Sequence, residues 1–407
     1  MGGVQSTRMA SSGSKGAASS GQRIGMAADH SAQSMGLARV GVFPCLRARG
    51  HCRTAGCSAT PESSNRSGIG RALGRLVGKG DTTRITFDGK VVGAGNETMA
   101  ASGDDTALVD RDGVRQVLES REESFVLSAE EVERIMGFGH FESIDELLRE
   151  LTRNTSHLSL PPISNFRVSC AALGESGRVY VGVNIEFKDL PLPCALHAEQ
   201  FLILNAFQHG ESAISKLCIS HVPCGHCRQF MCELSRSEDM QISILGREPE
   251  VFTLPELLPL RFTPRDLIGE GARFLFEEGH NGLVWAGDGS SGGAPRDMEM
   301  AQRALAEANA SYAPYSNCPS GLCIRDQGGK LYSGCLIESA AYNPTVSPLH
   351  SALVNGLVGG LPSWQTIDRV TLVETEGATV KHEHLIRECL KFICPDAEYS
   401  VLYAKTS

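Results

Sequence analysis

Apolar and polar positions begin to follow regular periods near residue 112, where we therefore expect ordered structure to begin. Apolar side chains at helical spacing mark one face of a helix, at Ile144, Leu147, Leu148 and Leu151. Ser128 and Glu131 form a capping-box pair, which predicts a shorter helix ahead of it. The pattern therefore predicts a small helical segment over residues 111–155.

The next hundred residues alternate between strand and helix patterns. Arg178–Val183 carries valine at every second position, as a half-buried strand does. Leu196–Phe207 reads as a strongly apolar helix, and Leu217–His221 as a short strand behind it. This order predicts an α/β domain over residues 156–269, with helices packed on a mostly parallel or mixed sheet.

The second half of the chain repeats the first half at a shift of 152 residues. Ser164-Asn165 recurs as Ser316-Asn317, the segment 177–182 recurs at 329–334, and Glu186 falls on Glu338. The Gly- and Ser-rich residues 270–296 between the copies are predicted to be a linker. Two copies of one α/β unit are therefore expected, the second over residues 297–407.

Residues 1–110 lack a sustained period and are predicted to be a disordered or targeting extension. They are rich in Ser, Gly, Ala and Arg, as organellar transit peptides are. Gly2 opens a short pattern typical of myristoylation. Asp88-Gly89, within Thr83–Val92, is a hairpin signal. These signals compete, and they do not define a function.

Charge and composition narrow the class of partner. Residues 1–80 hold 11 of the 38 Lys and Arg residues and two of the 47 acids, so the remainder holds 27 and 45, a net charge of −18. Phosphate binding needs a basic surface, and no stretch approaches the roughly 20 apolar residues that cross a bilayer. The chain shows no signal peptide, so its 14 cysteines are expected to be reduced. We predict a small, uncharged substrate and no nucleic-acid or membrane partner.

One constellation in the first copy has the chemistry of a catalytic zinc site. Cys224 and Cys227 lie one helical turn apart behind Pro223, so both sulfurs can point the same way. His197 supplies a third donor, which leaves the fourth position of a tetrahedral zinc open for water. Glu199 is an acid near the metal that can move protons. Together these residues match H-x-E…P-C-x-x-C, the signature of zinc deaminases.

The second copy lacks this constellation. At the shift of 152 residues, the four site positions are occupied by Leu349, Ser351, Glu376 and Thr379. None of these side chains reproduces the two sulfurs and the imidazole that zinc would need. The second copy is therefore expected to be metal-free and without catalytic activity.

A structural zinc site with four protein ligands is the alternative interpretation of the two cysteines. Cys194, Cys232 or His226 would then supply the fourth ligand. Otherwise His226 and His221 are expected beside the site or on the surface. The other cysteines of the two copies are expected to be small core residues, namely Cys170, Cys218, Cys318, Cys323, Cys335, Cys389 and Cys394.

Residues 112–407 resemble the cytidine deaminase family, in its homodimeric two-domain branch from bacteria and plants, and Pro223–Glu233 follows the family motif throughout. The resemblance implies a duplicated three-layer α/β/α domain with one zinc per chain. It implies a hydrolase acting on the C–N bond of a cyclic amidine, which converts cytidine and 2′-deoxycytidine to uridine and 2′-deoxyuridine plus ammonia in pyrimidine salvage. Zinc-bound hydroxide would attack C4 of the pyrimidine, with Glu199 as the proton shuttle.

The resemblance also implies substrate contacts. Asn184 and Glu186 resemble the family's N-x-E, which binds the ribose hydroxyls, and Phe166 resembles the phenylalanine that stacks on the base. Ala198 is expected among the substrate-binding residues.

The same resemblance implies a location and a partner. The family expectation is a cytosolic protein, with plastid or mitochondrion as the alternative because of the N-terminal extension. In the two-domain branch the second domain helps to close the site of the partner subunit. A homodimer is therefore implied, with Tyr342 as a contributor in trans.

Overall fold

The structure is a computed structural model that describes residues 125–137, 141–247, 251–286 and 297–407. Residues 1–110, with the Gly2 pattern and the Asp88-Gly89 hairpin signal, lie outside the described residues. Within the four described ranges, no helix has both the length and the apolar character that crossing a bilayer requires.

The first copy is built on a six-stranded mixed sheet. Its strands are β1 (Val126–Leu127), β2 (Ser169–Gly174), β3 (Val179–Val183), β4 (Ile214–Ile219), β5 (Gln241–Ile244) and β6 (Val251–Phe252). Their order in space is β1-β3-β2-β4-β5-β6. β4 and β5 pair in parallel, whereas the other neighbours are antiparallel. A parallel pair needs a crossover connection, and the crossover from β4 to β5 carries Cys224 and Cys227.

The second copy is built on a five-stranded sheet. Its strands are β7 (Leu283–Trp285), β8 (Ser320–Asp326), β9 (Leu331–Cys335), β10 (Ile367–Thr375) and β11 (Glu398–Thr406). Their order is β7-β11-β10-β8-β9, with β10 and β11 parallel and the other neighbours antiparallel. The hairpin β8-β9 and the parallel pair β10-β11 correspond to β2-β3 and β4-β5.

Helices cover both faces of each sheet. They are α1 (Ala129–Gly137), α2 (Ile144–Asn154), α3 (Ala198–Gln208), α4 (Gly225–Met231), α5 (Leu254–Leu257), α6 (Pro264–Ile268), α7 (Met298–Ala310), α8 (Pro348–Val358) and α9 (Glu383–Ile393). α1 and α2 share one core with the first sheet, and α3 shares another with it. α7 packs on one face of the second sheet, with α8 and α9 in the core on the other. The predicted three-layer α/β/α architecture and its duplication are confirmed.

The two helices of the predicted segment 111–155 belong to the outer layer of the first copy. The Ser128 N–H donates to Glu131 Oε2 at 2.8 Å, and the Glu131 N–H donates to Ser128 Oγ at 3.3 Å, so the capping box is present. α2 begins at Ile144 as predicted and runs past Leu151 to Asn154. Its buried leucines pack against Ala171 and Cys218 of the sheet. These helices therefore complete a layer of the first domain.

The interval 270–296 contains a strand. Leu283–Trp285 forms β7, which pairs antiparallel with β11 from Ala404 to Thr406. The sequence pattern does not show this strand, because three residues are too few to display a period and their partner lies about 120 residues further along the chain. The described part of the linker thus adds an edge strand to the second sheet.

The loop between hairpin and helix is two residues shorter in the second copy. Bridges join Ile185 to Leu196 in the first copy and Ile337 to Val346 in the second, so the shift changes from 152 to 150 across this loop. α3 and α8 then align over their whole lengths, Ala198–Gln208 with Pro348–Val358. The sequence-based alignment of the helix was therefore wrong by two residues.

The two copies share one interface through α3 and α8. Gln208 Nε2 donates to the Ser351 carbonyl at 2.8 Å, and Asn355 Nδ2 donates to Gln208 Oε1 at 3.4 Å. Apolar residues of both helices belong to the same core cluster. The second copy therefore packs directly against the helix that follows His197, one of the predicted zinc ligands.

Candidate metal centre

Two helix starts bring the three predicted metal ligands together. His197 is the N-cap residue of α3, and Cys224 is the N-cap residue of α4. Cys227 lies one turn into α4 and is fully buried. The donor atoms of the three side chains lie within 4.8 Å of one another. Because an N-cap residue is fixed by the helix behind it, both ligand segments are held by regular structure.

The donor set fits zinc. His197 Nδ1 lies 3.4 Å from Cys224 Sγ and 3.3 Å from Cys227 Sγ. A tetrahedral zinc with ordinary Zn–N and Zn–S bonds separates these atoms by about 3.5 Å. One imidazole and two sulfurs are also the protein ligands of one known class of catalytic zinc site. The three side chains therefore need little movement to hold the metal.

The sulfur of Cys224 is prepared for the thiolate form. The Cys227 thiol and the His197 imidazole donate toward it and lower the pKa of Cys224 to about 3. The same thiol-to-thiolate contact, together with burial, raises the pKa of Cys227. Both groups shift as expected for two thiols that share a proton beside an imidazole. A divalent cation that replaced the shared proton would stabilise both thiolates.

Glu199 lies beside the ligands without being one of the three. Its side chain is 4% exposed and within hydrogen-bonding reach of the Cys227 thiol. Burial raises the pKa of Glu199 above its ordinary value. A buried carboxyl next to a metal site is suited to taking up and releasing a proton near neutral pH.

The three residues that could have completed a structural site make other contacts. Cys232 Sγ donates to the Arg228 carbonyl at 3.4 Å, and Cys194 is buried next to the Cys389 thiol of the second copy. The His226 ring stacks on His197 with its centroid 5.2 Å away. Among the residues that the structure describes, the metal-binding group contains His197, Cys224 and Cys227 without a fourth protein ligand. This arrangement favours an open coordination position.

Phe166 lies at the surface of the first copy with its ring available for stacking. It is 52% exposed, and its ring packs against His221 at a centroid distance of 4.6 Å. No sequence pattern predicts the contact between these two residues. An exposed aromatic ring that packs against an imidazole on one side can stack on a flat heterocycle with its other side.

Asn184 holds the backbone around Phe166. Asn184 Oδ1 accepts the Val168 N–H at 2.8 Å, and Asn184 Nδ2 donates to the Phe166 carbonyl at 2.9 Å. Its amide thus fixes the loop from both sides of Arg167. One N–H of the amide and the other lone pair of the oxygen stay available for a ligand.

Glu186 holds the start of the same loop. Glu186 Oε2 accepts the backbone N–H groups of Ile163 and Ser164, each at 2.9 Å, and Ser164 Oγ donates to Glu186 Oε1 at 2.5 Å. These bonds outweigh the opposing effect of burial, and the pKa of Glu186 is lowered. An ionised Glu186 is a strong acceptor for a hydroxyl.

The remaining predicted site residues lie on two different segments. Ala198 is buried in the first turn of α3, between His197 and Glu199. Tyr342 belongs to the second copy, is 65% exposed and has a φ of 62°. The residues on either side of it are tied to the first copy of the same chain, through Ala340 N–H to Glu233 and Pro344 O to Gln200.

The corrected alignment changes which residues of the second copy replace the site. Ser347, the N-cap of α8, takes the place of His197, and Leu349 takes the place of Glu199. β10 is shifted by 153 residues relative to β4, because Ile219 pairs with Cys170 and Leu372 with Leu322. Glu376 and Thr379 therefore do not start a helix as Cys224 and Cys227 do.

The helix after β10 begins on a carboxylate of the protein itself. α9 starts at Glu383 with His382 as its N-cap residue. Glu374, 1% exposed at the end of β10, accepts the His382 N–H at 2.5 Å. A carboxylate at a helix N-terminus is favoured by the helix dipole, so Glu374 stabilises the start of α9.

Gln200 is a site residue that the sequence-based reasoning missed. Gln200 Oε1 accepts the His197 N–H at 3.3 Å and so completes a capping box at the start of α3. A glutamine three residues after an N-cap is a known signal of this motif. The signal was hidden because histidine is not a usual N-cap residue.

Comparisons with known proteins agree with this geometry. A family model described as "Cytidine and deoxycytidylate deaminase zinc-binding region" matches residues 142–243, and a second model with the same description matches residues 254–387. The first match includes His197, Cys224 and Cys227, so the cofactor that the donor set favours, zinc, is also the one that the family description names.

Three curated relatives each match more than half of the chain. Cytidine deaminase 1 of Arabidopsis thaliana is 38% identical over 297 residues, which are 69% of this chain and 97% of that protein. Cytidine deaminase 6 of the same plant is 38% identical, over 63% of this chain and 91% of its own length. The cytidine deaminase of Serratia proteamaculans (strain 568) is 39% identical, over 54% of this chain and 70% of its own. The chain therefore belongs to the cytidine deaminase family.

Proposed function

We propose that the protein hydrolyses cytidine and 2′-deoxycytidine to uridine and 2′-deoxyuridine plus ammonia, as a step of pyrimidine salvage. One observation carries the proposal: the buried carboxyl of Glu199 lies beside a three-donor metal site that has no fourth protein ligand among the described residues. This is the arrangement that zinc-dependent deamination of a base requires.

The proposed mechanism assigns each step to a residue of this chain. His197, Cys224 and Cys227 would hold zinc, which when present supplies a water that is acidic near neutral pH. Glu199 would take one proton from this water and pass it to N3 of the pyrimidine. It would then take the remaining proton from the hydroxyl added at C4 and deliver it to the departing amine, which leaves the carbonyl of uridine. Burial raises the pKa of Glu199, which favours uptake of the proton that the proposed mechanism requires.

The proposed substrate contacts lie on the loops around this site. Phe166 stacks on the pyrimidine, with His221 behind its ring. Asn184 and Glu186 bind the sugar hydroxyls with the amide hydrogen and carboxylate lone pairs that their loop contacts leave open. Ala198 lines the pocket from the first turn of α3.

Replacing the carboxyl tests the proposed role of Glu199. We expect Glu199→Gln to lower turnover of cytidine by about 10²–10⁴-fold while zinc stays bound, because proton transfer is lost and ligation is not. The measurements are ammonia release and metal content. Glu211→Gln, at another buried carboxylate of the first copy, is the matched control and should keep activity. Turnover by Glu199→Gln at the wild-type rate would refute the mechanism.

A nucleoside is proposed in preference to a nucleotide. A 5′-phosphate would need a cation near the sugar, and Arg167, next to Phe166, is already engaged. Its Nη1 donates to the carbonyls of Ser156, His157 and Ser159. In a competition assay, cytidine should therefore be deaminated in preference to its 5′-monophosphate. Preference for the monophosphate would overturn this assignment.

We propose that only the first copy binds zinc, so that each chain holds one ion. Ser347 and Leu349 supply neither the imidazole nor the carboxyl at the aligned positions. Metal analysis should give about one zinc per chain for the wild type and almost none for His197→Ala. Retention of one zinc per chain by His197→Ala would place a metal in the second copy.

We also propose a homodimer in which Tyr342 completes the partner's site. The ring is largely exposed on its own chain and so remains available to another. Mixed dimers of Glu199→Ala and Tyr342→Ala chains should then regain activity, because one of the two sites has both residues intact. Mixtures no more active than the separate variants would assign Tyr342 to its own chain.

The cellular compartment of the protein is a further proposal. We propose the cytosol, with plastid or mitochondrion as the alternative that the composition of residues 1–110 offers. Mass spectrometry of the mature N-terminus from cells distinguishes them, since import into either organelle removes a transit peptide.

A further inference from the structure

The second copy is bonded to both segments that carry the zinc ligands of the first copy. α4 contains Cys227 and ends two residues before Glu233. The first turn of α3 follows His197 and contains Gln200. Across the interface between the copies, Glu233 accepts hydrogen bonds and Gln200 donates one. Neither residue belongs to the metal-binding group, so neither contact is explained by the proposed chemistry.

Glu233 is a completely buried carboxylate whose side-chain donors all come from the second copy. Glu233 Oε2 accepts the Tyr315 hydroxyl at 2.5 Å and the Tyr312 hydroxyl at 3.1 Å, and Glu233 Oε1 accepts the Ala340 N–H at 2.7 Å. The Tyr312 hydroxyl is shared with the Arg273 carbonyl at 2.9 Å. A buried carboxylate without donors is costly, so the end of α4 depends on the second copy for its position.

Gln200 and His350 link the copies at the other ligand segment, and they do so reciprocally. The two residues occupy the same position of α3 and α8. Gln200 Nε2 donates to the Pro344 carbonyl at 3.0 Å, and His350 Nε2 lies 2.8 Å from the Cys194 carbonyl, three residues before His197. Each side chain also contacts its own N-cap residue, Gln200 at His197 and His350 at Ser347. The loop leading to His197 is thus held from both copies.

We propose that the second copy acts within its own chain as a positioning module for the zinc ligands. Glu233 with Tyr315 fixes α4 and therefore Cys227, and the Gln200–His350 pair fixes the segment of His197. Groups that orient metal ligands commonly change metal affinity or activity by about 10–100-fold. The inference rests on the proposed function for its activity measurement alone, because zinc retention is measured separately.

Two tyrosines allow a matched test with a single-atom change. Tyr315→Phe removes a hydroxyl from Glu233, between the copies. Tyr180→Phe removes a hydroxyl from the buried carboxylate of Glu211, 3.0 Å away and entirely within the first copy. Both variants should fold and lose a similar amount of thermal stability. Only Tyr315→Phe should release zinc to a chelator faster, by about tenfold.

Two further readouts separate positioning from general stability. In Tyr315→Phe, kcat should fall by a similar factor with little change in KM, and the visible spectrum of the cobalt-substituted protein should change. His350→Leu should accelerate zinc release by the independent route through Cys194. Equal zinc release from wild type, Tyr180→Phe, Tyr315→Phe and His350→Leu would overturn the inference. If the variants released zinc at the expected different rates but the wild-type protein did not deaminate cytidine, the proposed function would be overturned and this inference would stand.

Discussion

Glu186 and Glu338 occupy the same position in the two copies and make the same backbone contacts. Glu338 Oε2 accepts the N–H groups of Tyr315 and Ser316 at 2.9 and 3.1 Å, as Glu186 does for Ile163 and Ser164. Within the described ranges, the second copy contains no group of three metal-binding side chains, so we assign these contacts to the loop there. Glu186 therefore combines loop capping with its proposed role at the sugar.

The repeat provides an internal control for this dual role. Glu338→Gln should lower the free energy of unfolding by about 1–3 kcal/mol, because a charged acceptor of two partly buried N–H groups is weakened, and leave the KM for cytidine unchanged. Glu186→Gln should weaken its loop in the same way and also raise KM. Denaturant unfolding and steady-state kinetics measure the two effects. A raised KM in Glu338→Gln would contradict the separation.

His382 provides a test of pH dependence at a single residue. Burial lowers the pKa of His382 from 6.5 to about 4, and its Nε2 has no hydrogen-bond partner among the described residues. The unfolded chain binds a proton at this side chain between these pH values, whereas the folded chain does not. Folding stability should therefore fall as the pH drops from about 6.5 toward 4.

Replacing the imidazole should remove this part of the acid sensitivity. His382→Asn keeps a residue suited to the N-cap but cannot titrate. The difference in urea midpoint between pH 7 and pH 5 should be smaller in the variant than in the wild type. Equal differences would show that His382 is protonated as easily in the folded state as in the unfolded one.

At the residue scale, the metal site is more predictable than the substrate loops. His197, Glu199, Cys224 and Cys227 fall within one short stretch, and the chemistry of zinc restricts the residue types that can serve. Their convergence needs only two helix starts. By contrast, the hydrogen bonds by which Asn184 holds the loop around Phe166 join residues 16 and 18 positions apart. They also depend on a φ of 55° at Asn165. No local pattern encodes that geometry.

At the level of elements, each hairpin contains a buried tyrosine at the same position, and the two tyrosine hydroxyls donate to acceptors from different places in the fold. Tyr180 in β3 donates to Glu211 Oε2 at 3.0 Å, and Gly174 in β2 leaves room for that carboxylate. The equivalent Tyr332 in β9 donates to Asp326 Oδ2 at 3.1 Å. Asp326 replaces Gly174, and Leu361 replaces Glu211 after the helix. The carboxylate that accepts the tyrosine hydroxyl therefore follows the helix in the first copy and lies on the strand in the second.

This difference between the copies predicts that the effects of substitutions at positions 174 and 211 on the free energy of unfolding are strongly coupled. A Cβ at Gly174 would lie 2.1 Å from Glu211 Oε2, so Gly174→Asp should be destabilising through overlap and like charge. Glu211→Leu should also be destabilising, by about 1–3 kcal/mol, because it leaves the Tyr180 hydroxyl buried without its acceptor. The double variant should regain most of the loss. A double-mutant cycle measures the coupling, and simple additivity would count against the exchange.

Elements with long periodic patterns could be predicted, and elements defined by distant pairing could not. α2 and β3 begin at or within one residue of their predicted starts, because their buried faces have a clear period. β4 begins at Ile214, three residues before the predicted Leu217, because Ser215 and Lys216 interrupt the apolar run. β7 is set by its pairing with the last strand of the chain.

For the whole molecule, the repeat predicted the duplication but not how the copies are joined. A shift of 152 residues identified two units, yet the change to 150 residues at α8 hid the correspondence of Gln200 with His350. That pair, and Glu233 with its tyrosines, create the interface. These contacts join residues between 79 and 156 positions apart, and no local sequence pattern shows them.

The carboxylate of Glu374 has a consequence for how a duplicated centre can be lost. The second copy places a carboxyl group of its own at the start of the helix after β10, so restoring two site residues at α8 would not change this helix start. Ser347→His combined with Leu349→Glu should therefore leave the metal content at one ion per chain. A metal centre in this copy would need a different helix start as well as new ligands.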